Sequence, residues 1–245
     1  MKSNSTEALK ALLSFPFRDP KSGSKLLIGV ALIIAGFIIP VFPCLFVTGY
    51  IARIMRSVAS GDDPAMPEWN DWGGLLKDGF RLFAVSLLYM IPMIAISILT
   101  IGIIYGPMIF LALSDSSGYG TELLVFLSTM LWTFGIFFFV GIFMFFMLAY
   151  LVILPPMMIH TACKDDFGAA FQIGAWWRIL WKNLVGFLAA AVITIGLYSV
   201  LAFGLQILYM TIIFWLLIPL LFAIIGFYMA LTSSAAFAQA YFAGR

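Results

Sequence analysis

The stretch Asn183 to Gly244 reads NLVGFLAAAVITIGLYSVLAFGLQILYMTIIFWLLIPLLFAIIGFYMALTSSAAFAQAYFAG and holds no Asp, Glu, Lys, Arg or His. A run of that length satisfies its backbone amides and hides its side chains only as helices in hydrocarbon. It is long enough for two crossings, which the sequence places on either side of a turn near Leu205 and Gln206. Working outward, three more uncharged stretches run from Leu26 to Ala52, Leu82 to Leu113 and Leu123 to Ile159. An ionised side chain at mid-bilayer costs about 2.5 to 3.5 kcal/mol, so uncharged stretches mark membrane. At about 1.5 Å of rise per residue, some 20 residues cross the hydrocarbon. The expected fold is all-α, a polytopic membrane helix bundle of five or six crossings, with an amino-terminal interfacial segment at 1–25 and a membrane domain at 26–244.

Composition agrees. Of 245 residues, 64% are hydrophobic and 10% charged, against about half and a quarter in a soluble domain. The net charge of +2 is small and its basic residues are scattered along membrane flanks, which argues against nucleic acid as a partner. Cys44 and Cys163 stand in or beside apolar stretches without a CxxC spacing and read as buried thiols. The first 25 residues lack the short apolar core and small-residue cleavage site of a secretory signal, so the first hydrophobic segment is expected to remain in the mature chain.

Two hydrophilic loops interrupt the apolar spans. Arg56 to Lys77 reads RSVASGDDPAMPEWNDWGGLLK and His160 to Lys182 reads HTACKDDFGAAFQIGAWWRILWK. Each follows an apolar helix with an Asp pair, then tryptophans, then a basic residue, aligning Asp62 and Asp63 with Asp165 and Asp166, and Trp69 and Trp72 with Trp176 and Trp177. The pattern reads either as a weak duplication, repeats 26–105 and 122–205 with an extra span at 206–241, or as chance likeness between two interfacial loops. In the duplication, each half is helix, Asp-Asp loop, interfacial helix, helix. Five of the seven tryptophans lie in these loops, as expected for indoles at headgroup depth. AWWRILWK (Ala175 to Lys182) has the composition of a short interfacial helix. The segment Ser5 to Ser14 sets Ala8, Leu9, Leu12 and Leu13 on one face and is expected to rest on the membrane too.

Lys and Arg collect in the amino-terminal segment and both tryptophan loops, and are missing between Gly106 and Thr121. Positive-inside logic then places the amino terminus and both loops in the cytoplasm of a plasma (cytoplasmic) membrane protein. One helix between two cytoplasmic ends is a contradiction. It is resolved by a hairpin bent at Pro40 and Pro43, or it stands as one kinked helix that breaks the charge rule.

The block from Phe15 to Ile91 resembles a prokaryotic multi-pass membrane protein family of unknown function, the domain-of-unknown-function family four thousand and thirteen. The likeness rests on FPFRDP (Phe15 to Pro20), GYIARIMRS (Gly49 to Ser57) and GDDPAMPEWNDWGGLLKDGF (Gly61 to Phe80). It implies a helical membrane protein and no particular reaction.

Asp62, Asp63, Glu68, Asp71 and Asp78 cluster around the first loop, but lack the ligand spacing and central glycine of a calcium loop. Pairing with Arg56, Lys77 and Arg81 and capping of helices is the favoured reading, with Asp71 at the start of a helix near Trp72. Arg53 and Arg56 share a helix face and are expected to snorkel to anionic headgroups. His160 is the lone histidine, with no ligand set around it at metal spacing. No GxSxG, HExxH or Walker motif occurs. Polar positions within the spans, Thr100, Thr133, Thr194, Ser199, Gln206, Thr211, Ser233, Ser234 and Gln239, either line a pathway or pack helices, and packing is favoured.

The expected function is therefore a non-catalytic membrane component, not an enzyme, that packs with itself or partner subunits among membrane lipids. The alternative is a small ion or solute channel or transporter. Neither a cofactor nor a metal is expected. The residues expected to make partner or headgroup contact are Tyr50, Arg53, Arg56, Asp62, Asp63, Pro67, Trp69, Trp72, Asp165, Asp166, Trp176, Trp177 and Arg178.

Overall fold

The computed structural model describes residues 5–113, 121–210 and 217–245. Among them all regular structure is helical: α1 (Ser5–Ser14), α2 (Ser22–Ile38), α3 (Phe42–Ala59), α4 (Trp72–Leu113), α5 (Thr121–Lys164), α6 (Ile173–Lys182), α7 (Leu184–Tyr209) and α8 (Ile218–Gly244). Short 3-10 turns at Phe15–Phe17 and Phe167–Phe171 complete the set. The helices Trp72–Ile103, Thr129–Lys164, Leu184–Tyr209 and Ile218–Gly244 are each long and apolar enough to cross a bilayer. A fifth span is present if Leu9–Phe17 and Ser22–Ile38, bent by 84° to each other, count as one.

The first apolar stretch is a hairpin. Pro40 cannot continue the helical ladder and Pro43 sits in the first turn of α3, where its missing N–H is not needed. Between them the Phe42 N–H donates to the Pro40 carbonyl at 3.0 Å across Val41, whose φ of 75° and ψ of −59° define a γ-turn. A β-branched residue at positive φ is strained. Val41→Gly is expected to raise stability by about 1 kcal/mol, the relief of strain less the extra freedom glycine has when unfolded, as read by thermal unfolding in detergent.

The last apolar run divides later than the sequence suggested. α7 continues through Leu205 and Gln206 to Tyr209, because nothing there caps or breaks a helix; Gly204 alone does not. α8 begins with Pro219 in its first turn. Thr211 lies outside the described residues.

The chain forms two compact units, Met1–Ser86 with Val152–Arg245, and Leu87–Leu151. In the larger unit α8 is the central post, packed against α1, α2, α3, α6 and α7. Phe227, Leu231, Ala235 and Ala238 are fully buried on it. Its later half is rich in Ala and Ser, which lets neighbouring backbones come close. Gly29 of α2 lies flat against the Phe227 ring, and Gly244 abuts the Ile179 carbonyl. α1 is no free membrane float: Leu12 is buried, and the Tyr228 hydroxyl of α8 donates to the Leu13 carbonyl at 3.0 Å. In the smaller unit Gly135 of α5 approaches Ile103 of α4, and large side chains such as Phe134, Phe137 and Phe145 point outward.

The two loops fold differently. The second carries a 3-10 turn and the expected interfacial helix, α6; the first goes from Ala59 to Trp72 without one. Pro64 and Pro67 keep that stretch out of a helix, and Trp72 opens α4 itself.

Candidate functional site

The charged side chains of the larger unit gather at one end, where α2, α3, α4 and α5 start or stop. Asp71 caps α4, its Oδ1 accepting from the Gly74 N–H at 3.0 Å, while its Oδ2 pairs with Arg53 at 2.5 Å. Asp78, one turn and a half into α4, faces three guanidinium groups: Arg53 at 4.0 Å, Arg56 at 3.3 Å and Arg81 at 3.7 Å. Asp165, just past the end of α5, takes Arg56 at 3.2 Å and also Arg81. Arg56 Nε further donates to the Ala162 carbonyl of α5 at 2.8 Å. Arg56, Asp78, Arg81 and Asp165 thus alternate in a closed ring, with Arg53 and Asp71 as a branch from Asp78, and together they tie α3 and α4 to the end of α5.

Arg53 and Arg56, expected at the headgroup layer, also meet carboxylates of two other segments within ion-pair distance. The ring also explains Asp165, whose φ of 52° turns the chain at the end of α5 so that its carboxylate points back at Arg81.

A second anchor fixes the first loop. Lys25, buried on α2, donates to Asp19 at 2.5 Å, to the Met66 carbonyl at 2.8 Å and to Glu68 at 3.0 Å. The Trp69 indole N–H donates to the Lys25 carbonyl at 3.1 Å, and its ring stacks on Tyr50 at 4.1 Å between centroids. The Tyr50 hydroxyl donates to the Pro67 carbonyl at 2.8 Å. Tyr50 and Trp69 are therefore buried inside the fold, whereas the neighbouring Trp72 is 42% exposed. The sequence did not single out Lys25. A lysine six residues after Asp19 at the foot of an apolar helix carries no local signal for a carboxylate more than forty residues away.

In the second loop, the Gly168 N–H donates to Asp166 Oδ1 at 3.1 Å, capping the 3-10 turn. Trp176 is buried, its indole N–H on the Ala170 carbonyl at 3.0 Å. Trp177 and Trp181, four apart on α6, are exposed with Arg178 between them. Asp62 accepts from the Ser57 hydroxyl at 3.0 Å and Asp63 is exposed. Among the described residues no group of three His, Cys, Asp or Glu is placed to hold a metal. His160 is buried, Nδ1 2.7 Å from the Tyr241 hydroxyl and Nε2 3.4 Å from Gln172 Oε1. Cys44 and Cys163 are half-buried free thiols.

Three loop carboxylates sit below their ordinary value of 3.8: Asp71 through the Gly74 N–H and then Arg53, Asp165 through Arg81, and Asp19 through Lys25. Groups depressed in this way stabilise the fold above their unfolded value, and that contribution is lost as pH falls through the folded one. Thermal unfolding in detergent is expected to be unaffected by these groups from neutral pH to about 5 and to weaken below about 4, less steeply in Asp71→Asn. With Asp71 and Asp165 more than half exposed, the contribution of these two is modest.

The network joins segments far apart in sequence, and one family model spans both loops that carry it. The family described as "Protein of unknown function (DUF4013)" matches residues 32–210. The chain belongs to this family. The matched region leaves out FPFRDP and takes in the second loop and all of α7, so the likeness reaches well beyond Ile91. No curated protein and no solved structure matches the chain.

Proposed function

We infer that this membrane protein is a non-catalytic component, packing with copies of itself or with partner subunits, in the cytoplasmic membrane with its charged end at the inner face. The observation that carries the reading is the use of the ionisable groups. Asp71, Asp78, Asp165, Glu68 and Lys25 are engaged in holding helices together, and both His160 nitrogens have partners. None of these is left unpaired facing a cavity.

The polar residues within the spans support the same reading over a pathway. Thr100, Thr133 and Thr194 donate to the carbonyls of Ile96, Thr129 and Ala190, each four residues back on its own helix. Such hydroxyls are satisfied without water. In α5, none of the most apolar eighteen-residue window is buried within the chain, so that surface is free for lipid or for another subunit. The cationic excess at the charged end suits the inner leaflet.

Cross-linking in membranes tests this. In a Cys44→Ala, Cys163→Ala background, Phe138→Cys on the exposed face of α5 is expected to give a discrete cross-linked oligomer with a short bifunctional maleimide. A chain that stays monomeric, together with ion or solute flux in liposomes, contradicts the reading and supports a transporter.

A further inference from the structure

α7 and α8 are in close contact near the charged end, where Asn183 Nδ2 donates to the Ala240 carbonyl at 2.8 Å and Phe187 stacks on Phe237. Away from that end they part. Between them lies a groove of about 560 Å³, walled by Ile193 to Leu208 of α7 and Leu221 to Met229 of α8, and headed by Leu9 and Leu13 of α1. An added Cβ at Gly196 or Gly204 on its α7 wall would meet no atom within 4 Å.

Size and polarity limit the occupant. Fifteen residues of helix give a length of about 22 Å, over which the groove is narrower than a helix about 10 Å across. A single polymethylene chain fits. Apart from the Tyr228 hydroxyl, already given to the Leu13 carbonyl, the walls are hydrocarbon, so water has nothing to bind.

The mouth supplies the second half of the argument. The segment Leu9–Phe17 runs at 84° to α2, so it lies along the interface when α2 stands across the bilayer. Phe17 stacks on Tyr228 at the groove's rim at 5.7 Å, and Arg18 follows it. Lys10, Arg18 and Lys21 are exposed, and among the described residues none forms a salt bridge, unlike Arg53, Arg56 and Arg81; the nearby Asp19 carboxylate feels the charge of Lys21 but is itself held by Lys25. A cationic strip at headgroup height above a chain-width apolar slot matches an anionic amphiphile.

The geometry points to a bound lipid: one acyl chain of an anionic membrane phospholipid lies in the groove between α7 and α8, with its headgroup against the Lys10, Arg18 and Lys21 strip. The assignment is independent of the subunit role above.

Native mass spectrometry of the detergent-purified chain tests it, after incubation with dioleoyl phosphatidylglycerol or dioleoyl phosphatidylcholine. One phosphatidylglycerol per chain is expected, retained about fivefold or more over phosphatidylcholine. Gly204→Phe, which fills open space, is expected to remove the adduct without changing oligomeric mass. Val200→Trp, at a groove position 75% exposed, gives the same test if the first variant fails to fold. Lys10→Gln, Arg18→Gln and Lys21→Gln together are expected to bring phosphatidylglycerol down to the phosphatidylcholine level. Equal retention of both lipids by the unaltered chain, or an adduct that survives filling of the groove, overturns the proposal. Filling that instead dissolves an oligomer overturns it too, because the slot then belongs to a second copy.

Discussion

Gly49→Ala is expected to prevent the chain from reaching its folded state. A Cβ at Gly49 falls on the Leu75 carbonyl, and one at Gly79 falls on the Leu45 carbonyl, so α3 and α4 cross backbone to backbone at this glycine pair. Neither side can yield by rotating a side chain. Overpacking commonly costs about 1 to 3 kcal/mol, and here, against backbone, about 3 or more. The crossing also sets the spacing of the ion network, since Arg53 and Arg56 lie one and two turns beyond Gly49, and Asp78 adjoins Gly79. Gly49→Ala should therefore give little monodisperse protein in detergent, with Gly79→Ala behaving alike. Gly102→Ala, where an added Cβ meets nothing within 4 Å, should be silent. Fluorescence-detected size exclusion reads all three.

The second large effect is at the carboxylate inside the ring. Asp78 and Arg81 have side chains only 10% and 12% exposed. Asp78→Ala leaves three guanidinium groups facing two remaining carboxylates, and removing one member of a buried ion pair costs about 3 to 5 kcal/mol. Because Arg56 is 36% exposed and can turn to water, the expected loss lies at the lower end, about 3 kcal/mol, as a large fall in thermal midpoint. Adding Arg81→Met to Asp78→Leu restores the charge balance. The double variant is expected to recover much of the loss, which a purely steric role for Asp78 would not allow.

How much of this was legible follows from the range of the forces. Uncharged runs declare membrane helices because one charge in hydrocarbon is costly, so α4, α5, α7 and α8 could be read directly. Pro40 and Pro43 announced a break, but its angle depends on the γ-turn at Val41, which no local pattern specifies. Asp71 as the cap of α4 was readable because capping acts within one turn. Composition marks the loop tryptophans as headgroup anchors and cannot separate Trp69 and Trp176, which end up buried on carbonyls, from Trp177, which stays outside. That division depends on which face of each loop meets α2, α3 and α8. Likewise Arg56 and Asp165 stand 109 residues apart, and nothing near either names the other.

The pairing of Arg56 and Arg81 with Asp165 predicts that both loops lie on the same side of the bilayer. Single cysteines replacing Asp63 and Asp166 in the Cys44→Ala, Cys163→Ala background, probed in oriented vesicles with a membrane-impermeant maleimide, test it most directly. Both positions should label from the same side, and Val41→Cys, at the far tip of the first hairpin, should not label from that side. Labelling of Asp63→Cys and Asp166→Cys from opposite sides would contradict the ion network and the hairpins that depend on it.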